Sequence, residues 1–390
     1  MAKIDFLSPQ DWTFPVPIAY GPGRLKEIAN HCQQAGMQRP LIVTDSGSAK
    51  LDFVTQAAEY LKDAGLQTAI YSNISPNPRD DEIAAGRAQY ITDQHHGIVA
   101  IGGGSGMDGG KAICLTANNE LDLWRFNIEQ ETPELAAHSF PPLITIPTTA
   151  GTGAETESTG MITDTIRGMK LCIWHPRCKP STTLLDPEIT IGLPSNLTAW
   201  TGCDAMIHAI EAYCVPNFHP LCDGVALEGL RLIHQWLPAA VANGNNLEAR
   251  GAMLVGSCLA GIAFLKGLGV VHAISHMVGA QYDTHHGLTN SIVLPAALRF
   301  NQAAMIDKLP ALAAAMQLDN DDFGSFYSAV CDRLDALSIP KNLTDIGVPG
   351  DCAKEMAERA ALDAAAATNI RSLSVSEIQT IIEEALHKGR

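Results

Sequence analysis

Basic residues are scarce in this sequence: Lys and Arg number 26 against 42 Asp and Glu, a formal net charge of −16 over 390 residues. No Lys/Arg cluster relieves that balance, which disfavours nucleic acid and anionic membrane as partners and says little about a small substrate. Long hydrophobic runs are missing too. The longest, Gly251–Leu265, is followed by Lys266 and reads as too short to cross a bilayer. The opening MAKIDFLSPQDWTF has no apolar core and no small-residue cleavage site, so no secretory signal is expected. There are ten cysteines but no C-x-x-C pair, and buried, reduced thiols in a cytoplasmic protein are the expectation. What remains is the composition of a soluble globular protein, 46% hydrophobic and 17% charged, long enough for two domains with a core each.

The first half alternates two textures. Pro40–Thr44, Thr68–Tyr71, Ile98–Ile101 and Leu143–Ile146 are short, nearly all-apolar runs, which suits parallel strands covered on both faces. Segments such as Lys50–Ala64 and Asp80–Gln94 carry helical spacing between them. From about Pro194 the chain becomes a succession of Ala/Leu-rich helical patterns. Pro216, Pro220, Pro238 and Pro295 are expected between helices or near their ends, and no strand is expected there. The reading is therefore an α/β chain in two parts: a Rossmann-like parallel-sheet domain over residues 1–192, then an all-helical domain over 193–390. Two unlike domains imply a cleft between them, where ligand sites tend to lie.

Two loops at strand ends look made for a ligand. Ile98–Ile101 runs into Gly102-Gly103-Gly104-Ser105, and Asp108 and Lys111 follow on what reads as a helix start. Glycines admit close backbone approach, and the amides and positive end of a helix suit a pyrophosphate; the bland reading is a tight turn. Leu143–Ile146 leads into Pro147-Thr148-Thr149-Ala150-Gly151-Thr152-Gly153, whose hydroxyls either bond phosphate or ribose or form local turns. Ligands in open α/β sheets bind at the carboxyl ends of strands, where both loops stand. Asp45, at the end of the Pro40–Thr44 strand, is placed to accept from a ribose 2′-hydroxyl and to repel a 2′-phosphate, which favours NAD over NADP; the alternative is a turn cap.

The second half holds a metal-binding pattern. Asp204 and His208 lie four apart in a helical segment and so share one face. His272, His276, His285 and His286 follow within fifteen residues beside strongly apolar sequence. One carboxylate with imidazoles and no paired thiolates accommodates Fe(II), Zn(II), Mn(II) or Ni(II) and argues against an iron–sulfur cluster. Four protein ligands make either a closed structural site or one open to substrate.

Further motifs join these: Tyr20-Gly21-Pro22-Gly23, Pro76-Asn77-Pro78, GGGSGMDGGK at 102–111, PTTAGTGAE at 147–155, Lys170, Leu185-Asp186-Pro187, GCDAMIHAIEAY at 202–213 and HHGLTNSIVLP at 285–295. Nearly end to end, the set resembles the iron-containing, or group III, alcohol dehydrogenases of the dehydroquinate synthase-like fold. The resemblance implies metal ligands at Asp204, His208, His272 and His286. It puts dinucleotide contacts at Asp45, Asn77, Gly103, Gly104, Ser105, Asp108, Thr148, Thr149, Thr152, Lys170 and Leu185. His276 matches a second histidine close to the site and is the candidate for relaying the substrate proton. A homodimer or larger assembly is also implied. The sequence departs from the family at three points: His276-Met277 replaces His-Pro, His285-His286 replaces Pro-His, and Glu157 stands where Thr is common. His286, before the matching Gly287, is taken as the ligand; an added carboxylate at 157 either favours a polar or cationic alcohol or is paired away from the substrate.

The expected activity is hydride transfer between NAD(H) and a small alcohol or its aldehyde or ketone, with a divalent metal, Fe(II) first, acting on the substrate oxygen. A zinc glycerol- or polyol-type dehydrogenase of the same fold is the nearest alternative. A dehydroquinate synthase-like lyase would need several basic residues at its substrate, and only Lys170 falls in a matched motif there. A non-catalytic dinucleotide sensor would need the loops but not the metal residues.

Overall fold

The computed structural model describes residues 15–390. Residues 1–14, on which the absence of a secretory signal was read, lie outside the described residues. In chain order the strands are β1 (Ile18–Tyr20), β2 (Pro40–Val43), β3 (Ala69–Tyr71), β4 (Gly97–Gly102), β5 (Leu143–Pro147), β6 (Thr159–Asp164), β7 (Met169–Trp174) and β8 (Thr182–Leu185). Six of them form one parallel sheet in the order β1-β8-β5-β4-β2-β3. The four apolar runs expected as strands are β2 to β5 of that sheet.

Helices α1 (Ile28–Gln34), α2 (Asp52–Asp63), α3 (Asp80–Thr92) and α4 (Gly104–Thr116) cover it. Successive residues of a strand point to opposite faces, and the sheet divides its core accordingly. Ile42, Val99, Ile101, Ile144 and Ile146 pack with Val54, Ala57 and Leu61 of α2. Leu41, Val43, Ile98 and Ala100 pack with Ile83 and Tyr90 of α3 and Ile113 of α4. The α2 residues recur at i, i+3 and i+7, the stripe a helix needs to cover a sheet. Strand order reverses between β2 and β4, so the loops after these two strands flank the switch point where such sheets bind ligands.

The antiparallel pair β6–β7 was not anticipated. Strand β6 alternates half-buried and buried residues along its whole length, the period of a strand with one covered face.

The remaining helices are α5 (Ser195–Cys214), α6 (Pro220–Ala242), α7 (Leu247–Ala263), α8 (Val270–Tyr282), α9 (His286–Met305), α10 (Leu309–Ala315), α11 (Phe323–Ala336), α12 (Ala353–Ala360), α13 (Ala364–Ala367) and α14 (Val375–His387). Among the described residues no strand follows β8. Pro220 opens α6, as its missing N–H allows, but Pro295 does not end a helix as expected: it sits inside α9. Only its own i→i−4 bond is lost. The burial of Ile292, Val293, Leu294, Ala296 and Ala297 around it keeps the helix continuous. The apolar run read as too short for a bilayer belongs to a longer helical stretch, Leu247–Lys266, that has the length and composition to span one; 67% of its most apolar window is buried, as in a core helix.

The chain forms two compact units. One comprises residues 16–193 and 244–254; the other comprises 194–243 and 255–390, with 15 at its start. The first unit thus borrows the beginning of α7. There the Arg250 guanidinium donates from Nη2 to Leu193 O at 3.0 Å and from Nε to Gly244 O at 2.9 Å, with the residue only 3% exposed.

Candidate active site

In the sheet unit, the expected dinucleotide residues gather at the carboxyl ends of the strands. Gly102 closes β4 at φ +153, where an L side chain is strained, and a Cβ there would stand 2.8 Å from Asp45 Oδ2. That close approach brings the end of β2 against the glycine loop. Gly103 is the N-cap of α4, and a Cβ on Gly104 would meet Thr152 Cγ2 at 2.6 Å, so the glycine and threonine loops touch. Thr148 N donates to Gly102 O at 2.9 Å, and Thr149 lies beside Gly103. Ser105 Oγ donates to Pro76 O at 2.7 Å, and Lys170 on β7 reaches Asn77 Oδ1 at 3.2 Å, tying the hairpin to the loop before α3. Asp108 lies on α4 next to Gly160, and Leu185 ends β8. The Asp45 carboxylate accepts from Ser48 N at 2.9 Å, the bond of a turn cap.

Lys111, fully buried, gives α4 a second hold on the same region: its ammonium donates to Ala154 O and Thr159 O. Glu157, between those two carbonyls in sequence, is 1% exposed. Burial pushes its carboxyl up to about 7 against the opposing pull of Lys111, Lys179 and Thr156. An anion for binding a cationic alcohol should be exposed and readily ionised, whereas Glu157 is buried and its burial disfavours the anion.

In the helical unit, α5, α8 and α9 converge. Asp204, His208, His272 and His286 each offer one ligand atom, and these four atoms lie within 4.8 Å of one another. Asp204 Oδ1 is 3.8 Å from His272 Nε2 and 3.6 Å from His286 Nε2. Asp204, His208 and His272 are buried, while His286 is partly open. A side chain on Gly287 would overlap the Trp200 carbonyl and come within 3.0 Å of Asp204 Cβ, so this glycine lets the start of α9 approach α5. His285, the other candidate at that end, is the N-cap of α9: its Nδ1 accepts from Leu288 N at 3.4 Å, and its ring lies 5.0 Å from that of Trp200.

Three partners of this cluster escaped the sequence reading. Glu211 accepts from His272 Nδ1 at 2.6 Å, and from Gly269 N and Val271 N at 3.1 and 2.9 Å. With Nδ1 bonded to the carboxylate, the Nε2 lone pair faces the cluster, the arrangement metal-ligating histidines usually have. Burial alone would lower the His272 pKa; the bond and charge of Glu211, with the charges of Asp204 and Asp363, outweigh it and raise the pKa. Glu211 was findable: it lies seven residues after Asp204 and three after His208, on the same helical face. Asn290, four after His286, donates from Nδ2 to Asp204 Oδ1 at 2.7 Å. Asp363 holds His276, Oδ2 to Nδ1 at 2.9 Å, across 87 residues of sequence, and no local pattern announces it.

The donor set fits a divalent ion. The lone pairs of Asp204 Oδ1, His272 Nε2 and His286 Nε2 all lie within 3.1 Å of one electropositive group, the Asn290 amide nitrogen, so acceptors meet here with no cationic side chain among them. His276 stands beside the set, its ring stacked 5.5 Å from that of His286.

Comparison with known proteins agrees in both units. Residues 15–187 match the model of the iron-containing alcohol dehydrogenases, and residues 198–386 that of the C-terminal part of the same family. The chain belongs to the iron-containing alcohol dehydrogenase family. It is 37% identical to a 1,3-propanediol dehydrogenase of Klebsiella pneumoniae over 96% of this chain and 98% of the relative. It is 35% identical to an NAD-dependent methanol dehydrogenase of Bacillus methanolicus, over 95% and 98%. The solved alcohol dehydrogenase from Oenococcus oeni superposes with a TM-score of 0.92 at 32% identity, covering 97% of this chain and all of that one. As a member of this dehydrogenase family the protein is an oxidoreductase, an NAD-dependent alcohol dehydrogenase that works with a metal ion on a small alcohol or aldehyde.

Proposed function

We propose that the enzyme interconverts a short primary alcohol or diol and its aldehyde, with Asp204, His208, His272 and His286 holding Fe(II). The four ligand atoms within 4.8 Å of one another carry this reading. The names of the relatives, a propanediol and a methanol dehydrogenase, support the substrate class. When bound, the metal supplies Lewis-acid polarisation of the substrate oxygen and NAD supplies the hydride acceptor.

The chain's own residues do the rest. Free amides at Gly103, Gly104 and Ser105 cradle the pyrophosphate at the start of α4, and Thr148, Thr149 and Thr152 line the facing loop. Asp108, Asn77, Lys170 and Leu185 complete the dinucleotide contacts, and Asp45 accepts from the ribose and excludes a 2′-phosphate. Glu211 fixes the His272 ring. His276, its Nδ1 engaged by Asp363, keeps Nε2 as the basic nitrogen that takes the hydroxyl proton. One carboxylate and three imidazoles also suit Zn(II), Mn(II) or Ni(II). The protein is proposed to work in the cytoplasm as a homodimer or larger assembly.

The test follows NADH formation by metal-stripped protein across a panel of short alcohols and diols, before and after anaerobic addition of each ion. Turnover that returns with Fe(II) on C1–C4 primary alcohols is the expected result. Turnover indifferent to metal overturns the four-ligand reading, and preference for a vicinal polyol with Zn(II) favours the polyol-type alternative.

A further inference from the structure

Asn290 is fully buried on α9, one helical turn after His286, so its side chain returns to the point the histidines face. Its Nδ2 lies 2.7 Å from Asp204 Oδ1, 3.1 Å from His272 Nε2 and 3.1 Å from His286 Nε2. One amide group therefore touches the ligand atoms contributed by three different helices. Its Oδ1, in contrast, is buried with no hydrogen-bond partner among the described residues. A buried amide that leaves its oxygen unsatisfied gives up stability, so its N–H edge is what the position serves.

We propose that Asn290 is a positioning residue of the metal centre. Its N–H fixes the Asp204 carboxylate through one lone pair of Oδ1 and leaves the other for the ion. Ligating carboxylates are ordinarily held by such outer bonds, and losing one costs about 10–100-fold in metal affinity. This inference rests on the reading that the four-residue cluster binds a divalent cation.

The experiment uses full-length, metal-stripped protein titrated with Co(II) and with Zn(II) against a chelator of known affinity, with the Co(II) visible spectrum recorded alongside. Asn290→Leu keeps the volume and removes the donor; Asn290→Thr keeps a hydroxyl donor; Asp204→Ala reports on the cluster itself. Expected are a loss of about 10–100-fold in Co(II) and Zn(II) affinity with Asn290→Leu and a shifted Co(II) band. Asn290→Thr, which keeps a hydroxyl donor on the same helix face, is expected to lose less affinity than Asn290→Leu. Circular dichroism and NAD binding check folding, and Asn290→Ala replaces the leucine variant if that one does not fold, with the same loss expected. Unchanged affinity in the leucine or alanine variant overturns the proposal. So does an equal loss in the leucine and threonine variants, which would mark a role in helix packing alone. If the parent binds no more tightly than Asp204→Ala, it is the metal-centre reading that fails.

Discussion

Glu157 and His276 show how differently two buried titratable side chains can be employed. The Glu157 carboxyl sits at about 7 in the folded protein against an ordinary 4.5, chiefly because burial disfavours its anion. A carboxyl raised on folding contributes stability that is fully present below 4.5 and lost as pH rises through 7. The difference amounts to about 3 kcal/mol at most. Glu157→Gln is therefore expected to be more stable than the parent at pH 8 by up to about that amount, with the gap largely closed at pH 5; denaturant titrations at the two pH values measure it. No gain at pH 8 would mean that the carboxylate is compensated by Lys111 and Lys179. His276, held by Asp363, is proposed to take the substrate proton rather than to ligate the metal. His276→Gln should lower kcat by roughly 100-fold or more and leave metal content, read by elemental analysis, at one ion per chain. Loss of the ion would make His276 a ligand instead.

At the scale of elements, the spacing of α5 and α9 decides whether the ligands meet. Gly287→Ala places a methyl group into the Trp200 carbonyl and against Asp204, and helix backbones yield only by separating. About 1–3 kcal/mol of destabilisation is expected from the overpacking, together with weaker metal binding, and thermal melts with and without metal separate the two effects. Much of this architecture was legible from the sequence because it repeats a period: β2 to β5 as all-apolar runs, α2 and α3 as helical spacing, Asp204 and His208 as a one-turn pair. What escaped lacked that signal. The three-residue β1 and the four-residue β8 are too short to show alternation. Strand β6 carries polar threonines on its open face and reads as loop. Asp363 meets His276 only through the packing of α13 on α8, a tertiary fact with no counterpart in local sequence.

For the whole molecule, a net charge of −16 sets the terms on which an anionic dinucleotide approaches. Like charges slow encounter, and salt screens them over about 10 Å at 0.1 M. The KM for NAD is accordingly expected to fall, roughly two-fold or more, between ~10 and ~150 mM salt, while the KM for a neutral alcohol stays level; steady-state kinetics across that range settles it. A KM for NAD that rises with salt would place a local basic funnel at the dinucleotide loops. The borrowed start of α7 bears on how the chain is made. Residues 244–254 belong to the sheet unit, yet they follow the whole of α5 and α6. A ribosome delivering this chain from its N-terminus must release some fifty residues destined for the other unit before Arg250 can reach Leu193. The first unit to begin folding is thus not complete when its own sheet has emerged: its last contacts wait on sequence still being translated.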